Sequence, residues 1–141
     1  MPHGFRYRRR VQFAETDMAG IVHFSSMFKY MEEAEHALWR AAGMTIARAG
    51  APIAWPRLAA AFEFQRPLFF EDEFDVTVEI SAITSRTIQY AFTIARDETT
   101  IGTGTMTTAC VKKGDDAVMK AVELPADIVA RLSGVVDRKD A

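Results

Sequence analysis

The residues most able to do chemistry in this chain gather in "FAETDMAGIVHFSS", Phe13 to Ser26. Asp17 stands just before a long helical pattern, with Gly20 and then His23 following it. The first turn of a helix carries backbone N–H groups that lack intrahelical partners, and the helix dipole makes that end positive. Such donors polarise a carbonyl oxygen aimed at them, and a glycine beside them lets another chain or a ligand come close. A carboxylate near a positive helix end tends to stay ionised, which suits either direct attack on the carbonyl carbon or activation of a water. The sequence leaves these two routes open.

Each residue also has a plainer reading. A turn or capping aspartate is the alternative for Asp17, and a satisfied loop histidine is the alternative for His23, whose functional reading is a supporting one, positioning substrate or Asp17. Glu15 lies two residues before Asp17 and points the same way in an extended chain, so it is the rival carboxylate; a solvated strand end is its plainer reading. Glu33 reads as solvated or salt-bridged. Other chemistries find little support. His3, His23, His36 and the single Cys110 fall at no recognisable metal spacing, and there is neither a GxSxG elbow nor a phosphate-binding loop. The basic run "RYRRR" at Arg6–Arg10 has no second cluster of its size, and the net charge is −2, so a solvated strand face is expected and no nucleic-acid partner. Cys110 has no partner for an internal disulfide, and its period places it on a strand as a packing residue.

These residues need a frame to hold them. The 141 residues fit one domain, and with half of them apolar the chain buries a real core. No apolar run is long enough to span a bilayer, and the basic start lacks a following signal-peptide apolar region; a cytoplasmic protein without membrane contact is expected. Phe5, Tyr7, Val11 and Phe13 alternate as one buried strand face, with Arg9 breaking the parity. From Ser25 or Ser26, both plausible N-caps, Met27, Tyr30, Met31, Ala34, Leu38 and Ala41 follow helical spacing until Gly43, which predicts a helix from about Ser26 to Ala42. At 1.5 Å per residue this helix is about 25 Å long, enough to cross a small domain. The rest is mostly strand: Phe62 and Phe64; Phe74 to Ile80; Ile88 to Ile94; and a threonine-rich segment from Ile101 to Val111, in which Gly102 and Gly104 suggest close approach by something large. "RDET" and "KKGDD" read as turns, a short helix follows Pro125, and "DRKDA" reads as a solvated terminus. The order is α+β, with one curved antiparallel sheet of about five strands wrapped around one long helix, and an exposed edge or outer face left to seek a partner.

The segment Val11 to Glu33, "VQFAETDMAGIVHFSSMFKYMEE", resembles the opening motif of the 4-hydroxybenzoyl-CoA thioesterase family of hotdog-fold proteins. That motif has an aspartate at the end of the first strand, a small-residue loop with glycine, an aromatic or histidine pair, and a central helix with an acidic residue about two turns in. The element order agrees over most of the chain. The resemblance implies an acyl-CoA thioesterase in which Asp17 is the catalytic carboxylate and the Phe24 N–H polarises the thioester carbonyl. Gly20, His23, Phe24 and Met27 would then contact substrate, Met27 by lining an acyl slot. It also implies a homo-oligomer, dimer or tetramer, with sites between protomers, and no cofactor beyond the coenzyme A of the substrate. The family accepts aromatic, short-chain and long-chain acyl-CoA and acyl carrier protein thioesters. A non-catalytic hotdog protein that binds acyl thioesters and a hydratase on the same fold are the competing readings. For the coenzyme A phosphates, the candidates are these N-terminal arginines, Arg86, Lys112 and Lys113.

Overall fold

The computed structural model describes residues 4–47, 50–116 and 118–137, so His3 and most of the "DRKDA" tail lie outside the described residues. Strand β1 (Phe5–Arg10) turns Phe5, Tyr7 and Arg9 inward and Arg6, Arg8 and Arg10 to solvent. Arg9 therefore continues the inward row, for reasons the functional corner supplies. Two of the outward arginines are paired by the neighbouring strand: Arg8 with Asp75 at 3.3 Å and Arg10 with Glu73 at 3.1 Å. Val11 completes the buried row, and the chain then enters a 3-10 turn at Phe13–Glu15. That turn ends the period of two, so Phe13, expected on the buried face, is 74% exposed.

Helix α1 (Ser26–Ala41) buries Met27, Tyr30, Met31, Ala34 and Leu38 of the expected stripe, leaves Ala41 at its end exposed, and adds Trp39 and Glu35, a charged residue expected on the solvent side. Gly43 closes the helix at φ +80°, a left-handed conformation that glycine adopts without a Cβ penalty, and its N–H donates to the Arg40 carbonyl at 2.9 Å. The strands β2 (Ile53–Ala54), β3 (Arg57–Phe64), β4 (Glu73–Ile83), β5 (Thr87–Arg96) and β6 (Thr99–Ala109) follow. β1, β4, β5, β6 and β3, in that spatial order, form one antiparallel sheet. Its inner face carries Phe74, Val76 and Val78 from β4 and Ile88, Tyr90, Phe92 and Ile94 from β5, all buried.

Helix α1 packs on that face. Tyr30 meets Phe74 with ring centroids 4.7 Å apart, and Trp39 Nε1–H donates to the Tyr90 hydroxyl at 3.1 Å. The two glycines of β6 make room, as their place in a strand suggested. A Cβ on Gly104 would lie 2.5 Å from Met31 Sδ, and one on Gly102 would lie 2.5 Å from the Phe62 ring.

The threonine-rich strand lies two residues earlier than its period suggests, so Cys110, expected on it, falls between strands. It stops at Ala109, and buried Cys110 carries the chain into β7 (Val111–Lys113). With β2 and β8 (Met119–Ala121), β7 forms a second, three-stranded sheet in the order β2-β7-β8. Helix α2 (Ala126–Val136) follows Pro125 and buries Leu132, Val135 and Val136. Among the described residues no helix is long and apolar enough to cross a membrane.

Candidate active site

The corner between β1 and α1 is built from short-range hydrogen bonds that follow directly from residue type. The Asp17 carbonyl accepts the Gly20 N–H at 3.0 Å, closing a tight turn, and Asp17 Oδ1 accepts the Ala19 N–H at 2.8 Å. This is the aspartate-over-its-own-turn arrangement that short acidic side chains favour. Gly20 stands at φ +82°, which explains a glycine there. The turn is clamped at its base, where the Asp17 N–H donates to the Ile21 carbonyl at 2.8 Å and Thr16 bridges Val22. Asp17 is half-buried, and among the described residues its second oxygen, Oδ2, accepts no hydrogen bond.

The helix start holds fewer free donors than its sequence promises. Ser25 has helical backbone angles, and its hydroxyl makes no capping bond. The Ser26 N–H donates to the His23 carbonyl at 2.9 Å, that of Met27 to Phe24 at 3.4 Å and that of Phe28 to Ser25 at 3.2 Å. Of the donors expected between Phe24 and Met27, only the Phe24 N–H is without a partner among the described residues. His23 is exposed, and its Nδ1 accepts the Ser25 N–H at 3.2 Å and faces the Ser25 hydroxyl at 2.8 Å. An N–H donor requires Nδ1 to be an acceptor, so the ring carries its proton on Nε2. That edge is the one left to the surroundings. Met27 is only 3% exposed and belongs to the hydrophobic core.

Sequence reasoning missed what holds this corner in place. Glu15 is not a solvated strand end, because it closes a 3-10 turn and is half-buried there. Its carboxylate accepts a two-pronged ion pair from Arg9, the Gln12 N–H at 2.8 Å and the Tyr30 hydroxyl at 2.8 Å. Burial alone would push this carboxyl up; the Arg9, Gln12 and Tyr30 hydrogen bonds outweigh it and hold the group below the usual range. Arg9 also donates from Nε to Glu33 at 2.9 Å, lies over the Tyr30 ring at 5.1 Å, and shares Glu33 with the Tyr7 hydroxyl at 3.0 Å. Glu33 is therefore salt-bridged, as its helical position suggested. The visible signal was the parity break: an arginine in an inward strand position needs an acid to meet it.

The surface over the corner is apolar. Phe13, Met18, Phe24, Phe69 and Phe70 are all exposed, and the Val22 N–H donates to the Leu68 carbonyl at 2.8 Å, which brings the second segment beside the loop. Phe13 and Phe70 meet edge-to-face at 5.7 Å. A patch of this kind marks a ligand or partner surface.

The corner thus holds a carboxylate with a spare oxygen and a partnerless N–H at a helix start, both next to an antiparallel sheet. Residues 11–132 match the thioesterase-like superfamily, and the chain belongs to it; the class is that of thioester hydrolases. A solved structure, a hypothetical protein from Aquifex aeolicus, is 31% identical and superposes with a TM-score of 0.84 over 91% of this chain and 98% of that one. A 1,4-dihydroxy-2-naphthoyl-CoA hydrolase from Nostoc punctiforme is 25% identical over 139 residues, 97% of this chain and 90% of its own length. The crystal structure of a 1,4-dihydroxy-2-naphthoyl-CoA thioesterase from Synechocystis shares 20% identity and a TM-score of 0.83, covering 91% and 94% of the two chains; it speaks for the fold alone.

Proposed function

We propose that the protein hydrolyses the thioester of an acyl-CoA, with the chemistry at Asp17 and the carbonyl oxygen held by the Phe24 N–H. One observation carries this reading: Asp17 Oδ2 and the Phe24 N–H, an acceptor and a helix-start donor without partners among the described residues, flank the Thr16–Val22 bridge that closes the loop. An oxygen, from Asp17 itself or from a water it deprotonates, bonds to the carbonyl carbon while negative charge gathers on the carbonyl oxygen. The carbon–sulfur bond then breaks and coenzyme A leaves as the thiol; one water is consumed in all, either in the attack itself or in cleaving the Asp17 acyl anhydride, its oxygen going to the acid and its protons to the acid and the thiol. No metal or further cofactor takes part, and coenzyme A enters as part of the substrate. Gly20 keeps the loop tight against the substrate, His23 offers Nε2–H, and Phe24 with the exposed aromatics beside it faces the acyl group.

The same reading makes the protein a homo-oligomer, a dimer or tetramer, on a hotdog fold with α1 as the central helix, working in the cytoplasm. Supporting the assembly is β3, "RLAAAFEF", which lies at the end of the sheet, pairs with β6 on one side, and leaves Leu58, Ala59, Ala60, Ala61 and Phe64 exposed. A long, apolar, exposed edge strand is unstable alone and pairs readily with a second copy through a two-fold axis. Light scattering at micromolar concentration should give at least twice the 15.7 kDa chain mass. A monomer there would contradict the assembly.

The reaction is tested by thiol release from a panel of acyl-CoA esters. The Nostoc relative's name puts 1,4-dihydroxy-2-naphthoyl-CoA first, beside 4-hydroxybenzoyl-, butyryl- and decanoyl-CoA. Cleavage of at least one ester is expected. No cleavage of any, with a melting temperature raised by the same esters, would replace the enzyme with a binding module.

A further inference from the structure

Glu15 touches every element that meets at the corner. Its carboxylate takes Arg9 from β1, the Gln12 N–H from the 3-10 turn and the Tyr30 hydroxyl from α1. Its carbonyl takes the His23 N–H at 2.8 Å and the Ser26 hydroxyl at 3.3 Å. Asp17 is two residues downstream of this knot and Phe24 follows His23, so both ends of the loop are tied to one residue. Helix α1 has a second anchor, its buried face of Met27, Tyr30, Met31 and Ala34. The Asp17 turn has one such core contact, Val22 at its base; beyond that it is held through Glu15 and the Val22–Leu68 bond.

We propose that Glu15 is a positioning residue for the reaction: clamped by Arg9 and Tyr30, it fixes the Asp17 loop against the start of α1. The inference rests on the reading of Asp17 as the reacting carboxylate. Glu15 faces inward and its oxygens are already engaged by four donor groups, so it acts through Asp17 and not on substrate. Arg9 is in turn held by Glu33 and, through Glu33, by Tyr7, so the clamp has a fixed back wall. Glu15→Gln keeps the shape and removes the charge that faces Arg9. The loop then gains freedom while the helix stays where its core face holds it.

The test is a double-mutant cycle on the ester of the panel with the highest kcat/KM. Glu15→Gln alone should lower kcat about tenfold with KM little changed, since small misplacements of a reacting group cost factors of this size or more. In the Asp17→Asn background the same change should cost at most about twofold, because no charge is left to aim. Tyr30→Phe, which removes one hydroxyl and keeps the Arg9 pair, should show a smaller loss that shrinks in the same way. Amide hydrogen exchange gives a readout independent of turnover: Ala19 and Gly20, whose N–H groups bond Asp17, should exchange faster in Glu15→Gln while Ala34 in α1 does not. Equal losses from Glu15→Gln in both backgrounds, or unchanged exchange at Ala19 and Gly20, would overturn the positioning role and leave the Asp17 reading standing. If Asp17→Asn is as active as the parent, the Asp17 reading fails; a severe Glu15→Gln alongside it would make Glu15 the reacting carboxylate and overturn both.

Discussion

Helix α1 contributes carboxylates to two arginine clusters, Glu33 to one and Glu32 and Glu35 to the other, and the two give different results. Near the start, Arg9 joins Glu15 and Glu33 beneath a loop whose Asp17 oxygen and Phe24 N–H are left unspent. Further along, Glu35 is completely buried, with both oxygens taken by Arg57, which also reaches Glu32 at 3.0 Å. Glu15 is held below the usual carboxyl range by its donors, whereas burial pushes Glu35 above it despite Arg57. The same pair of residue types thus gives different results, and the difference lies in how much water is lost and how many donors replace it. The first leaves an acceptor and a donor without partners among the described residues. The second joins α1 to β3 and spends both Glu35 oxygens on Arg57, beside a cavity lined by Glu32, His36, Trp55 and Arg57.

The largest effect should come from breaking the saturated end. Glu35→Ala leaves Arg57 half-buried with exposed Glu32 as its carboxylate partner beside the Trp55 carbonyl, and removing one member of a buried pair typically costs about 3–5 kcal/mol. Denaturant unfolding should show that loss, with kcat of the folded fraction within about twofold of the parent, a margin within which non-reacting sites normally fall. A variant as stable as the parent would mean the cluster contributes nothing net. Between the two ends, Gly104→Ala forces a methyl against Met31 Sδ and the Ala61 carbonyl, an overpacking expected to cost about 1–3 kcal/mol. A neutral result would show that Met31 swings aside freely.

A smaller effect separates the ends by pH. For Glu15, with its folded pKa lowered from 4.5, the stabilisation is complete above that value and is lost as pH falls through the folded pKa. For Glu35, with its folded pKa raised from 4.5, the sign reverses: the stabilisation is complete below 4.5 and is lost as pH rises through the folded pKa. Glu15→Gln should therefore flatten the acid limb of the stability curve, and Glu35→Gln should remove a decline on going from pH 4.5 upward. Parallel curves for both variants would contradict the contrast.

What could be seen in the sequence follows from how local each cause is. Helix α1 was legible to within one residue because its stripe repeats over sixteen positions and Gly43 ends it. The strand rows of β4 and β5 were legible for the same reason, and the close approach expected at Gly102 and Gly104 is made by Phe62 and Met31, which the sequence did not name. Phe13 was misread because a turn of three residues resets the parity without changing the apolar pattern. The small sheet of β2, β7 and β8 was not visible, since strands of two or three residues have no period to detect. The Arg9 knot was invisible for a different reason: its acids lie six and 24 residues away, and only the folded chain brings them together. Asp17 was singled out by motif resemblance, and its turn geometry alone would equally suit a purely structural aspartate.

That last ambiguity is what the decisive measurement removes. Asp17→Asn preserves the Oδ1 bond to the Ala19 N–H, so its stability should stay within about 0.5 kcal/mol of the parent, as for a surface change that keeps its contacts. The negative charge is gone, so kcat on the best acyl-CoA should fall by about a hundredfold or more, the contribution expected of a positioned base or nucleophile. A folded Asp17→Asn protein whose kcat lies within a few-fold of the parent would contradict the account and return Asp17 to the role of a turn residue.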